Sequence, residues 1–161
     1  MSESLVRVLT TTSAVGAALA GGVFFAFSTF IMRALDDLPP AQGIAAMQSI
    51  NRFAPNPWFM AVLFGTALTS GFLAVNALLD MGQPGSAYRF AGSALHLLAV
   101  VLTLAYHVPR NNALDVVNPS AAGAARHWAG YVSHWTAWNH VRTLSVLAAS
   151  AAFILSLTRT Q

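Results

Sequence analysis

The sequence predicts an all-α fold: an integral membrane four-helix bundle, one domain over residues 1–161. Three observations predict it. Hydrophobic residues make up 56% of the chain against 8% charged, far from the balance of a soluble domain. The apolar residues gather into four runs, each near the length that crosses a bilayer. The charges fall mostly between those runs, and all eight cations are Arg. Because the Arg residues stand singly, no basic stripe exists to follow a phosphate backbone, which argues against nucleic acid. With no Cys, disulfide frameworks, thiolate nucleophiles and iron–sulfur ligand sets are excluded.

The first run, residues 8–32, is long enough to span a hydrocarbon core of about 30 Å. Ala18-Leu19-Ala20 before Gly21 looks like a signal-peptidase site, but the apolar run continues through Phe24, Phe25, Phe27 and Phe30, so a retained anchor is expected. Ala14, Ala18 and Gly22, and Ala17 and Gly21, recur at the four-residue spacing that lets helices approach closely in lipid, as do Ala67 and Gly71 in the second run. The first connector reads as an amphipathic interfacial helix over residues 39–51. Pro39 or Pro40 suits its start, and Ile44, Met47, Ile50 and Asn51 lie near one face.

The second and third runs, 58–79 and 90–107, are separated by a turn holding Gly82, Pro84 and Gly85. The third connector is long and partly helical. Asn118-Pro119 reads as a cap and first helical position, so a helix starting there is expected to run into the fourth span, 141–157. On it Trp128, Trp135, Trp138 and Arg142 share a stripe, with Tyr131, His134 and Asn139 beside them. Four crossings place both termini on one side of a multi-pass protein, expected in the cell membrane. Arg33, Arg52, Arg110 and Arg126 against Arg7, Arg89 and Arg159 give too small a bias to orient it.

Several residues are candidates for chemistry. A guanidinium entering hydrocarbon costs on the order of 2.5 kcal/mol or more unless it finds a partner, so Arg142 is expected to face the interior rather than snorkel. Trp58 and Trp128 read as interfacial anchors, whereas Trp135 and Trp138 stand beside Asn139 and Arg142, where a flat ligand could lie between them. The five His residues raise a metal or haem reading. His96 and His107 are eleven apart, about 16 Å along a helix, and His127 and His134 are seven apart, so neither pair shares an ion within its helix. Convergence from different helices stays open, with His134 and His107 as the alternative ligands. His96, in mid-span, reads as a hydrogen-bonded core residue.

The chain resembles a family of small four-helix membrane proteins whose fungal relatives include the anthrone oxygenases of aromatic polyketide pathways. The resemblance rests on Phe27-Ser28 with Ile31-Met32, on Met47-Gln48 with Ile50-Asn51, and on Thr103 followed by Val108-Pro109-Arg110-Asn111-Asn112-Ala113-Leu114. Above all it rests on Trp135-Thr136-Ala137-Trp138-Asn139-His140-Val141-Arg142-Thr143. It implies a monooxygenase that oxidises an anthrone-like phenolic tricycle to a quinone with dioxygen, requiring no cofactor. Such a site needs a base, donors to the enolate oxygen, aromatic walls and exclusion of water. The expected base is His140, with His134 and His107 behind it. Arg142, Asn139 and Asn111 are expected to donate to the oxyanion, Trp135 and Trp138 to hold the ring with Thr143 nearby, and Asn51 to close the site. The competing readings are a metal- or haem-dependent membrane oxidoreductase and a non-enzymatic quinone- or lipid-binding accessory subunit. A homo-oligomer is compatible with all three.

Overall fold

The computed structural model describes residues 2–159, and the regular elements among them are all helices. Helix α1 runs over Glu3–Asp36, α2 over Pro40–Phe53, α3 over Pro57–Leu79, α4 over Ser86–Asp115 and α5 over Ala124–Thr158. All but α2 are long and apolar enough to cross a membrane, which makes this a multi-pass helical bundle. In the bundle, α1 and α4 each pack against both α3 and α5, so the four form a closed ring.

Local chemistry sets the helix ends. Ser2 and Asn56 cap α1 and α3, the Asn56 carboxamide oxygen accepting the Phe59 N–H at 3.0 Å, and Pro57 supplies a fixed φ at the first position. Gly85 and Gly123, with φ of 81° and 92°, turn the chain into α4 and α5. The last helix therefore starts after Gly123 and not at Pro119. Asn118 instead closes a local turn by accepting the Ser120 N–H. The stretch from Val108 to Asp115 continues α4 rather than opening a connector.

Inside the ring, apolar clusters around Phe24, Leu63 and Val146 and around Leu73 and Phe153 are accompanied by small residues and polar contacts. Ser13 and Thr69 hydroxyls meet at 2.7 Å, Ser150 donates to the Ala14 carbonyl, and His96 bonds the Leu63 carbonyl through Nε2. Leu19, Leu68, Phe72, Leu79 and Leu144 point outward. Of the expected small-residue stripes, Ala14, Ala17 and Gly21 are buried, but Ala18 and Gly22 are exposed and open space surrounds Gly71. Close approaches between spanning helices occur at Gly16, where a Cβ would strike Thr66 of α3, at Gly21, where it would strike Leu147 of α5, and at Gly92, where it would meet Phe153 and the Ala149 carbonyl of α5.

Two helices widen into a single π-helical turn, Phe27–Ile31 in α1 and Thr103–His107 in α4. Pro109 explains the second, since it lacks an N–H and its ring crowds the carbonyl four residues back. In the first, side chains enter the backbone ladder: Asn139 of α5 donates to the Phe24 carbonyl at 2.8 Å, and Thr29 donates to that of Phe25 at 2.7 Å. Both turns lie at the same end of the bundle, where π-turns often mark functional positions.

Trp58 is fully consistent with an interfacial place, being 84% exposed. Trp128 is not, and the expectation of an anchor is corrected: it is buried, stacked on Tyr131 at 5.7 Å and seated against Gly43 of α2. Gly43 has no Cβ, and the indole fills that space.

Candidate active site

Below α2, the four long helices enclose a cavity of about 250 Å³ with largely apolar walls. Phe24 and Phe27 come from α1, Phe59 and Leu63 from α3, Thr103, His107 and Asn111 from α4, and Trp135 and Arg142 from α5. The two π-turns contribute Phe27, Thr103 and His107, so the widened backbone is part of the wall.

Among the described residues Arg142 is the only charged side chain in that wall, and it is only 5% exposed. Its Nε and Nη2 donate to the Asn139 carboxamide oxygen at 3.1 and 2.6 Å, and Nη1 donates to Thr103 at 3.3 Å. The guanidinium carbon lies 3.9 Å from the centre of the Phe24 ring and 5.5 Å from that of Trp135. Among the described residues no carboxylate pairs with it. A guanidinium carries five N–H donors, so two are left for a ligand. An uncompensated buried cation is costly, and a site that keeps one is built for negative charge that arrives or develops there.

Asn139 is fully buried and cannot donate to a ligand, which corrects its expected role. Its Nδ2 gives one hydrogen to the Phe24 carbonyl and the other to Ser28, each at 2.8 Å, while Oδ1 receives Arg142. It therefore orients the cation. Thr143 also stands behind the cavity, bonded to Ser28 and to the Asn139 carbonyl.

Asn111 lies in the wall with its carboxamide oriented by two donors. Its Oδ1 accepts the Tyr131 hydroxyl at 2.9 Å and the Trp135 indole N–H at 2.8 Å. With the oxygen so assigned, the Nδ2 hydrogens remain as donors. His107 is 1% exposed, and its Nδ1 donates to the Leu102 carbonyl at 3.1 Å. That bond puts a hydrogen on Nδ1, so in the neutral ring the lone pair is on Nε2, an atom that is buried and has no hydrogen-bond partner. The Trp135 backbone is the ring's second polar neighbour, outside hydrogen-bond geometry, and the Trp135 indole meets it edge-on at 5.1 Å.

Other expected site residues do not converge. His140 is exposed and lies with Arg33 and Thr136 in a separate shallow groove on the outer face of α1 and α5. His134 is exposed and donates to the Gly130 carbonyl at 2.8 Å. Trp138 is 42% exposed and leans on Tyr106 at 4.9 Å, away from the cavity. The physical reason is common to His140 and Trp138: each is one or two residues from an inward residue on a helix that turns about 100° per step, so Asn139 and Arg142 facing in forces these neighbours out. Trp135 alone of the two tryptophans borders the cavity. For the metal alternative, His107 and His134 occupy different surroundings, and among the described residues no three His, Asp or Glu side chains are grouped to hold an ion.

Asn51 borders the cavity from α2 and donates to Asp115 at 3.2 Å. Beside it Gln48 donates to the Leu114 and Val117 carbonyls at 3.0 and 2.9 Å, fastening α2 over the end of α4. Sequence reasoning missed the Phe24 ring and carbonyl as partners of the polar network. It also missed both π-turns, of which Pro109 is the visible signal.

Neither the curated proteins nor the solved structures contain a match to this chain. The family model described as anthrone oxygenase matches residues 56–152. That stretch holds α3, α4 and most of α5, including His107, Asn111, Trp135, Asn139 and Arg142. It covers more than half of the chain, and the protein belongs to the anthrone oxygenase family.

Proposed function

We propose that this protein is a membrane-embedded monooxygenase that converts an anthrone-type phenolic polycycle to the corresponding quinone with dioxygen, using no bound cofactor. The observation that carries the reading is the Arg142 guanidinium, buried in an apolar cavity wall without a counter-ion. Beside it stand a neutral imidazole and a carboxamide with free donors, which are the parts an enolate-forming reaction needs.

In this reading His107 takes a proton from the central methylene of the substrate at Nε2. The electron pair left behind delocalises onto the ring carbonyl, and Arg142 and Asn111 donate to that oxygen as its charge develops. Trp135, Phe24 and Phe27 flank the flat ring. The enolate passes one electron to dioxygen, and the resulting radical pair joins to form a carbon–oxygen bond. Once the peroxide is protonated, loss of the second methylene proton breaks the oxygen–oxygen bond, leaving the quinone carbonyl and releasing water. One oxygen atom enters the product and the other leaves as water, so anthrone and dioxygen balance quinone and water. The apolar walls keep solvent from quenching the carbanion. The cavity, about 250 Å³, is near the lower end of small-molecule sites at about 300 Å³, which suits one compact ring system.

The test uses the full chain in native membranes or lipid nanodiscs with anthrone and isotopically labelled dioxygen. Quinone formation with one labelled oxygen per product and stoichiometric oxygen uptake is expected. His107→Gln and Arg142→Met are each expected to slow it by about 100-fold or more. A rate over background that survives both substitutions removes this assignment.

A further inference from the structure

We infer that the cavity takes its ligand sideways from the bilayer, through a portal between α3 and α4, and that the ligand is therefore an uncharged, membrane-dissolved aromatic. The inference rests on reading the cavity as the substrate site.

Two observations carry it. On the connector side the cavity is covered by α2, with Ala54 and Pro55 just after that helix forming an exposed rim. Helix α2 lies across it with Ile44 and Met47 buried beneath, and three hydrogen bonds from Gln48 and Asn51 hold α2 to the end of α4 and the residues after it. On the lipid side it is bounded by side chains that are cavity wall and outer surface at once. Phe64 of α3 is 40% exposed, and Leu104 and Val108 of α4 are 51% and 39% exposed, yet all three line the cavity; α1 adds Val23, also 40% exposed, while α4 supplies the two-residue lip facing Phe64. Leu104 and Val108 stand one turn apart, as do Met60 and Phe64, so each helix presents a short apolar lip. No polar group has to be uncovered for these lips to part, and rotation of a few exposed side chains is a fast motion. Opening the α2 side would instead break hydrogen bonds and expose buried Met47.

The portal also selects. A phenol in its neutral form crosses an apolar lip at little cost, whereas its anion would be stripped of water before reaching Arg142. Charge is thus generated inside the cavity, after passage, where the guanidinium meets it.

The chain has no native Cys, so a single cavity thiol reports passage without any need for turnover. Leu63→Cys, and Met60→Cys should the first fold poorly, place that thiol in the wall. In nanodiscs, pyrenylmaleimide dissolved in the lipid is expected to label it. A water-borne quaternary-ammonium methanethiosulfonate is expected to leave it unmodified. Adding Leu104→Trp to narrow the portal is expected to slow pyrenylmaleimide labelling about tenfold, while Leu144→Trp, on an outward face away from the cavity, leaves it unchanged. Rapid labelling by the charged reagent, or labelling indifferent to Leu104→Trp, overturns the portal. Failure to oxidise anthrone with intact portal-dependent labelling overturns the reaction and leaves the portal standing.

Discussion

Asn139→Ala removes four hydrogen bonds at once and so measures how firmly the buried network is held. Two of them run into α1, to the Phe24 carbonyl and to Ser28, and polar contacts of this kind between membrane helices contribute about 0.6–1 kcal/mol each. The other two receive the guanidinium of Arg142, and bonds to a charged group contribute about 1.5 kcal/mol or more each. The expected loss is about 4 kcal/mol, a large part of the roughly 5–15 kcal/mol by which proteins are stable. At about 2–4 °C per kcal/mol for a chain of this size, Tm falls by about 10 °C. Unfolding in mixed micelles of increasing dodecyl sulfate, followed by tryptophan fluorescence and far-ultraviolet dichroism, reads the change. A cycle with Arg142→Met isolates the pair, and a coupling of about 2–3 kcal/mol is expected. A cost below about 1 kcal/mol, or a coupling indistinguishable from zero, would refute the argument that Asn139 holds the cation in place.

Other expectations arise from the same contacts. His140→Ala and Trp138→Ala leave quinone formation at the wild-type rate, because both side chains face away from the cavity; a loss of activity in either would place the chemistry on the outer face of α5. Gly16→Val drives a side chain into Thr66 and costs about 1–3 kcal/mol by thermal unfolding, whereas Gly22→Ala, with open space around it, stabilises α1 by up to about 1 kcal/mol. Trp128→Ala empties the space against Gly43 and Tyr131 and lowers stability by about 3–5 kcal/mol, far more than the loss of an interfacial anchor such as Trp58.

The spans were legible because hydrophobic length is set by bilayer thickness, and a run such as residues 58–79 admits little other reading. The inward turn of Arg142 was legible for a related reason, since hydrocarbon penalises an unpaired cation wherever else it points. Which neighbours turn inward with it was harder to read. The sequence block from Trp135 to Thr143 sets polar and aromatic residues one after another, and a helix must divide them between two faces. Asn139 and Arg142, three apart, go together, and His140 is excluded by the same geometry. His107 was hidden differently. Eleven residues from His96 predicts one shared face, but the π-turn ending at His107 inserts an extra residue and rotates the remainder of the helix by up to about 100°. Accordingly His96 bonds Leu63 of α3, while His107 meets Trp135 of α5. The use of Asn139 as an orienting group could not be read at all, because its partners Phe24 and Ser28 lie 115 and 111 residues away.

That separation has a bearing on biogenesis. The Phe24 carbonyl at the widened turn of α1 accepts the Phe27 N–H within its own helix and takes a second bond from the Asn139 amide of α5, so the α1 side of this network waits for α5. Until α5 is threaded, the Phe24 carbonyl and Ser28 lack their bonds from Asn139 and Arg142 is not yet in the bilayer. The cavity's last wall, its cation and the register between α1 and α5 are completed together when α5 arrives.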